Sequence, residues 1–304
     1  MLAGEHMDQD QIKLIGELQE YIEEHIHQPM TLLELSRYIG YSPWYVDKLF
    51  LKYLKKSPMQ YIKERRLTLA ALKLRDDNPK VIDVALSFLF DSHEGFTRAF
   101  SKHFGISPYR YKKEYPPINL FLPFPINHSK INKGEKVMNE QKMLPVFIQV
   151  VERPKRKLIV KRGVKAKHYF AYCEEVGCDI WGILTSIKEA LYEPIGMWLP
   201  DKLRPKNTST YIQGVEVPVD YANIVPEGFE TMILEPQLYM IFQGPPYQDE
   251  DFMEAIEAFN EAIKDFNPTL YGYAFDLSSQ PTFQLEPRGE RGYIEGKPVK
   301  KIID

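Results

Sequence analysis

The sequence predicts two domains of different class. The first is all-α and built on a duplicated helix-turn-helix; the second is α+β, an antiparallel sheet made of two strand-helix-strand-strand halves. Three observations lead there. Residues 31–54 and 81–104 repeat one pattern of apolar stripe, turn, cap and second apolar stripe. The stretch 116–144 loses all period and gains prolines. Beyond it, short β-branched and aromatic runs alternate with amphipathic helical ones. The predicted limits are 8–115, a linker at 116–144, and 145–304, and 304 residues suit two domains.

The first copy reads TLLELSRYIGYSPWYVDKLF. Thr31 and Glu34 have capping-box spacing, and Leu32, Leu35 and Ile39 form the stripe of a short helix. Gly40 suits a tight turn that needs positive φ. Ser42 caps the next helix, with Pro43 at its first position. Val46, Leu49 and Phe50 point inward, which leaves Trp44, Asp47 and Lys48 outward, with Tyr45 beside them.

The second copy reads VIDVALSFLFDSHEGFTRAF. Val81, Val84, Ala85 and Phe88 form the first face, Phe90 matches Tyr41 after the turn, and Ser92 caps the second helix. Phe96, Ala99 and Phe100 anchor that helix, leaving His93, Glu94, Thr97 and Arg98 outward. Outward residues at the start of the second helix of such a pair can reach base edges and phosphates of duplex DNA. Between the copies, Ser57–Pro58 opens a helix of about 18 residues, about 27 Å long at 1.5 Å per residue. That length can hold two reading helices about 34 Å apart, one turn of B-DNA.

Residues 11–113 resemble the DNA-binding domain of the AraC/XylS family of bacterial transcription regulators. The second copy carries that family's signature: Ala in the first helix, an aromatic-Asp-Ser turn, F-x-R-x-F, then FGISPYRYKK. The resemblance implies contacts with double-stranded DNA through Trp44, Tyr45, Asp47 and Lys48, through His93, Glu94, Thr97 and Arg98, and through Arg110. One position departs: where the family has Gly before the aromatic of the second turn, this chain has Leu89, so the turn must form without glycine.

Charge follows the same division. The whole chain has a formal net charge of −3. Residues 41–115 hold 15 Lys/Arg against 8 Asp/Glu, +7, while residues 116–304 hold 22 against 26, −4. A basic bias on the part that carries the reading helices suits phosphate contact.

The chain has no run near 18 apolar residues that would span a membrane. MLAGEHMDQDQ lacks the basic-then-apolar run of an export signal. Two cysteines, Cys173 and Cys178, are too few for a disulfide framework or a zinc site and read as free thiols. The expectation is a cytoplasmic protein without cofactor or metal.

After the linker, strands are expected at VFIQVVE, KLIVKRG, EPIGMWLP, STYIQGVEVP, FETMILEP, LYMIFQGPP, LYGYAFDL and PTFQLEPR, with helices over about 169–191 and 249–265. A strand ending in QGPP before an acidic helix, and the GVEV strand at 214–217, resemble the GyrI-like small-molecule-binding domain of multidrug regulators. The resemblance implies a cleft between the halves in which aromatic side chains and a glutamate hold a small organic, often cationic, effector. By sheet alternation its lining is expected from Trp198, Tyr211, Glu216, Tyr239 and Tyr273, with Trp181 closing one end. Such domains commonly close on a strand reading acidic-Ile-Tyr-Ile-Pro; Asp304 stands where that strand would begin, so it joins the site, and the chain is expected to be truncated or to have an unusual last strand.

The reading is therefore a DNA-binding regulator that senses a small molecule, with RNA polymerase as a further partner. No nucleophile motif, phosphate loop or metal-spaced histidine cluster points to an enzyme. Two alternatives stand beside it: a GyrI-like hydrolase in which Glu216 activates a water, and a second domain that serves as a partner-binding surface.

Overall fold

A computed structural model describes residues 2–123, 144–177, 179–248 and 251–302. The chain divides into two compact units, Met1–Ile131 and Asn132–Asp304.

The first unit is helical. Helix α1 (Leu2–Glu24) precedes α2 (Leu32–Tyr38) and α3 (Pro43–Leu54); α4 (Pro58–Asp76) leads to α5 (Val81–Ser87), α6 (His93–Phe104) and α7 (Pro108–Glu114). The caps form where the sequence places them. Thr31 and Glu34 complete the capping box, and Ser42, Ser57, Ser92 and Ser107 each accept from the backbone N–H three residues on. Helix α4 serves two cores. Its Tyr61 and Ile62 pack with Ile15, Leu18, Leu35, Val46 and Phe50, while its Leu67, Ala70, Ala71 and Leu74 pack with Val84, Ala85, Phe96 and Phe100. Each helix pair thus has its own core, and the two are strung on one rod.

The expected linker does not leave this unit at once. Ile118 and Leu120 are buried in the second helical core. The Phe121 ring meets Tyr61 edge-on at 5.1 Å, and its N–H donates to Thr68 Oγ1 at 2.8 Å. Residues 124–143 of the linker expectation lie outside the described residues.

The second unit holds one nine-stranded sheet, and all its recorded pairings are antiparallel. Its strands are β1 (Phe147–Arg153), β2 (Arg156–Arg162), β3 (Ile195–Trp198), β4 (Tyr211–Val217), β5 (Glu230–Leu234), β6 (Gln237–Gln243), β7 (Tyr273–Phe275), β8 (Thr282–Leu285) and β9 (Ile294–Lys301). Helices α8 (Tyr169–Val176) and α9 (Ile180–Ser186) lie between β2 and β3, and α10 (Phe252–Ile263) lies between β6 and β7. The order across the sheet is β1-β6-β9-β8-β3-β4-β2-β5, with β7 on β9. Strand β1 pairs with β6, far along the chain, and β5 pairs back with β2.

Two expectations are corrected here. The single helix over 169–191 is two short helices, because Gly177 takes φ 98° and α8 ends there. Strand β9 was not anticipated, yet it lies inside the sheet between β6 and β8. Its sequence IEGKPVKK contains glycine, proline and three lysines, which argue against an inner strand by composition. Asp304, expected to open a closing strand, lies outside the described residues.

Candidate nucleic-acid interface and ligand cleft

The turns of the two helix pairs in the first unit open with equivalent backbone hydrogen bonds. In the first, the Tyr41 N–H donates to Ser36 O at 3.0 Å and the Gly40 N–H to Arg37 O at 3.3 Å; in the second, Phe90 donates to Ala85 O at 3.0 Å and Leu89 to Leu86 O at 3.1 Å. Gly40 has φ 73° and Leu89 φ 61°, so Leu89 takes the left-handed conformation that the sequence comparison demanded of it. The second turn is one residue longer: residues 39–42 separate α2 from α3, and 88–92 separate α5 from α6.

Both second helices bury their anchors and expose their starts. Val46, Phe50, Phe96 and Phe100 are fully buried. Trp44 is 64% exposed, and the Lys48 ammonium stands 3.9 Å from its ring centroid, a cation–π contact that holds both over the surface. Tyr45 and Asp47 are half-buried. On α6, His93, Glu94 and Arg98 are exposed and Thr97 is half-buried. Arg110 is exposed on α7 and pairs with Glu114 at 2.9 Å. A groove of about 720 Å³ opens beside the start of α6, with Lys80, Ile82, Tyr109, Lys112 and Lys113 around His93. Lys80 and Tyr109 escaped the sequence reading because they lie outside the repeated pattern.

In the second unit the expected ligand residues divide between the two faces of the sheet. Side chains alternate along a strand, so Tyr211 and Glu216 on β4, five apart, point to opposite sides. Tyr211 faces the helices, where it packs with Tyr172, Ile180 and Leu184 of α8 and α9. Trp198 shares that face, its ring 5.1 Å from Tyr211. Glu216 faces the other way, fully buried, and accepts from Arg153 Nη1 at 2.5 Å and Arg156 Nε at 2.6 Å. Tyr239 lies on that same far side, in the core of Leu158, Ile195, Met197 and Phe283. Trp181 is half-buried on α9, and Tyr273 is half-buried on the short β7. The set therefore does not line one groove. A lone glutamate in a valine-rich strand looked like a ligand-facing carboxylate; it is the shared acceptor of two buried guanidiniums.

The helix-side face has its own polar band. Helices α8 and α9 cover β2 and β4, while α10 sets Phe259 and Ile263 on Met240, Phe242 and Val299 of β6 and β9. Between these covers the register aligns Gln213 with Gly196, Gly196 with Gln284, and Gln284 with Glu295. A side chain at Gly196 would collide with the Tyr211 hydroxyl, so glycine lets that hydroxyl down onto the sheet. Neither amide atom of Gln213 nor the Tyr211 hydroxyl completes a well-aligned hydrogen bond among the described residues, although Gln213 is 1% exposed. Burial pushes the Tyr211 hydroxyl upward in pKa, so it stays protonated. Glu295 is 9% exposed, and burial raises its carboxyl above the usual range while Lys297 pulls it back. Gln284 falls in the strand expected at PTFQLEPR but was not named as a site residue, and Glu295 was missed because its strand was not recognised. The described residues contain no group of three or more His, Cys, Asp or Glu placed to hold a metal ion, and no helix long and apolar enough to cross a membrane.

A family model described as a helix-turn-helix domain matches residues 35–114. The regulatory protein SoxS of Salmonella typhimurium is 34% identical over 100 residues, 33% of this chain and 94% of that protein. The transcriptional regulator Rob of the same organism is 25% identical over 269 residues, 86% of this chain and 84% of Rob, so the similarity runs well into the second unit. Among solved structures, a protein bound to tetraphenylphosphonium is similar over 51% of this chain and 94% of its own, at 14% identity and a TM-score of 0.34, too loose a likeness to fix a fold.

Proposed function

Because this chain belongs to the AraC family of DNA-binding transcription regulators, we propose that it reads duplex DNA with both of its helix pairs and senses a small organic molecule with its second unit. The observation that carries the DNA part is the matched opening of the two turns. Two helix pairs with equivalent turn hydrogen bonds each present the exposed start of a second helix. Trp44, Tyr45, Asp47 and Lys48 reach one major-groove segment, and His93, Glu94, Thr97 and Arg98 the next. Lys80, Lys112, Lys113 and Arg110 sit where phosphates approach the second pair.

The sensing part rests on the polar band between α8–α9 and α10. Trp198 and Tyr211 offer aromatic faces, the Gln213 amide and the Tyr211 hydroxyl offer neutral hydrogen-bonding groups, and Glu295 offers the carboxylate that the sequence reading gave to Glu216. Convergent polar groups within an apolar surround suit a small-molecule site. The bound molecule then alters affinity for DNA or for RNA polymerase by preferring one state of the regulator.

Selection of duplexes from a random pool by the full chain tests the reading. The expected product is a site with two specified segments about 10 base pairs apart. Recovery of only one short specified segment would remove the second pair from the DNA role.

A further inference from the structure

Glu295 already has a cation. The Lys297 ammonium lies 3.4 Å from Glu295 Oε1, and it is the one ion-pair partner recorded for that carboxylate among the described residues. Two residues apart on β9, the pair shares the helix-side face. Lys297 also stands 5.6 Å from the ring centroid of Phe242 and 5.8 Å from that of Phe275. Carboxylate on one side and aromatic rings on the others is the surround an organic cation would seek, and here a tethered ammonium fills it. The pair is mostly buried, its side chains 12% and 23% exposed, so water screens it weakly.

Resting on the reading of this band as the ligand site, we infer that Lys297 is a specificity-determining residue: it neutralises Glu295 and turns the site from organic cations to uncharged organic molecules. The neutral polar groups of the band point to the same class. Gln213 presents an amide donor and acceptor side by side, and the Tyr211 hydroxyl, kept protonated by burial, interacts with that amide. An amide, lactam or urea edge satisfies such a pair; a quaternary cation, with no donor or acceptor, satisfies none of it. A cation entering this site must displace the ammonium or sit against it, and an uncharged molecule need do neither.

Two probes of similar shape separate the charge states: tetraphenylphosphonium and the uncharged triphenylphosphine oxide. Each is titrated by calorimetry into the full chain, into Lys297→Met, into Lys297→Gln, and into the double variant Glu295→Gln/Lys297→Met. The two single Lys297 variants guard against a misfolded one, with thermal melts as the check. The expected result is that the native chain binds the phosphine oxide and prefers it to the phosphonium. Either Lys297 variant then gains about tenfold or more in phosphonium affinity, since an opposite charge at this range shifts a carboxylate by about one to three pKa units. The ratio of phosphonium to phosphine oxide affinity rises in both single variants, and the double variant loses that rise. If the native chain takes phosphonium as tightly as the Lys297 variants do, the inference is overturned while the ligand site stands. If no variant binds either probe, the ligand site falls and the inference falls with it.

Discussion

Glu216, expected to face a ligand, instead holds two buried guanidiniums. The Glu216 carboxylate takes one guanidinium on each oxygen, and Arg156 makes further bonds to the backbone oxygens of Pro154 and Glu235. Removing the anion strands two buried cations, so Glu216→Gln should lower the stability of the second unit by about 3–5 kcal/mol, read as a shift in urea midpoint. An effect under about 1 kcal/mol would mean that water reaches the pair. Strand alternation alone could have separated Glu216 from Tyr211, since an odd spacing cannot keep two side chains on one face. Glu295 could not be found that way, because its strand was hidden. The outward residues of the helix pairs were legible, since a helix that buries Val46, Leu49 and Phe50 leaves Trp44 and Lys48 no other direction. Trp44→Ala and Arg98→Ala should each weaken binding to a selected duplex by about 1–3 kcal/mol, measured by anisotropy against a scrambled duplex. Unchanged affinity in both would move the reading surface elsewhere.

At the scale of elements, the second turn of the helical unit is a place where sequence and backbone disagree. Leu89 holds φ 61° and is 38% exposed, so it bears the cost of the left-handed conformation with little burial in return. Leu89→Gly should therefore stabilise the helical unit by about 1 kcal/mol, seen as a higher denaturant midpoint at unchanged slope. A lower midpoint would show that the side chain's packing outweighs the backbone. The helices were readable from caps and stripes, because those signals are local. The break at Gly177 was missed because apolar residues on both sides kept a helical period across it. Strand β9 was missed for the opposite reason: its residues favour a turn, and only its neighbours β6 and β8 hold it extended.

For the whole molecule, the charge division makes a prediction that no single residue carries. Residues 41–115 hold +7 in a chain whose total is −3. The log of DNA affinity should fall linearly with the log of salt concentration, and with about 6–10 phosphates contacted the loss between 50 and 200 mM is about 10³–10⁵-fold. A flat response would leave the basic side without a role in binding. The two-domain plan was legible because composition changes abruptly near Tyr115, though the chain keeps packing on the helical unit through Leu120 and Phe121. The sheet order was not legible, since it depends on pairings between strands remote in the chain. That order has a further effect. Because β1 pairs with β6 and β5 with β2, each end of the sheet is finished by a strand from the other half of the strand sequence, β1–β4 or β5–β9. A nick in the 218–229 loop should leave two fragments that each lack a border strand, so neither should persist alone, and mixing them should restore the native fold by complementation.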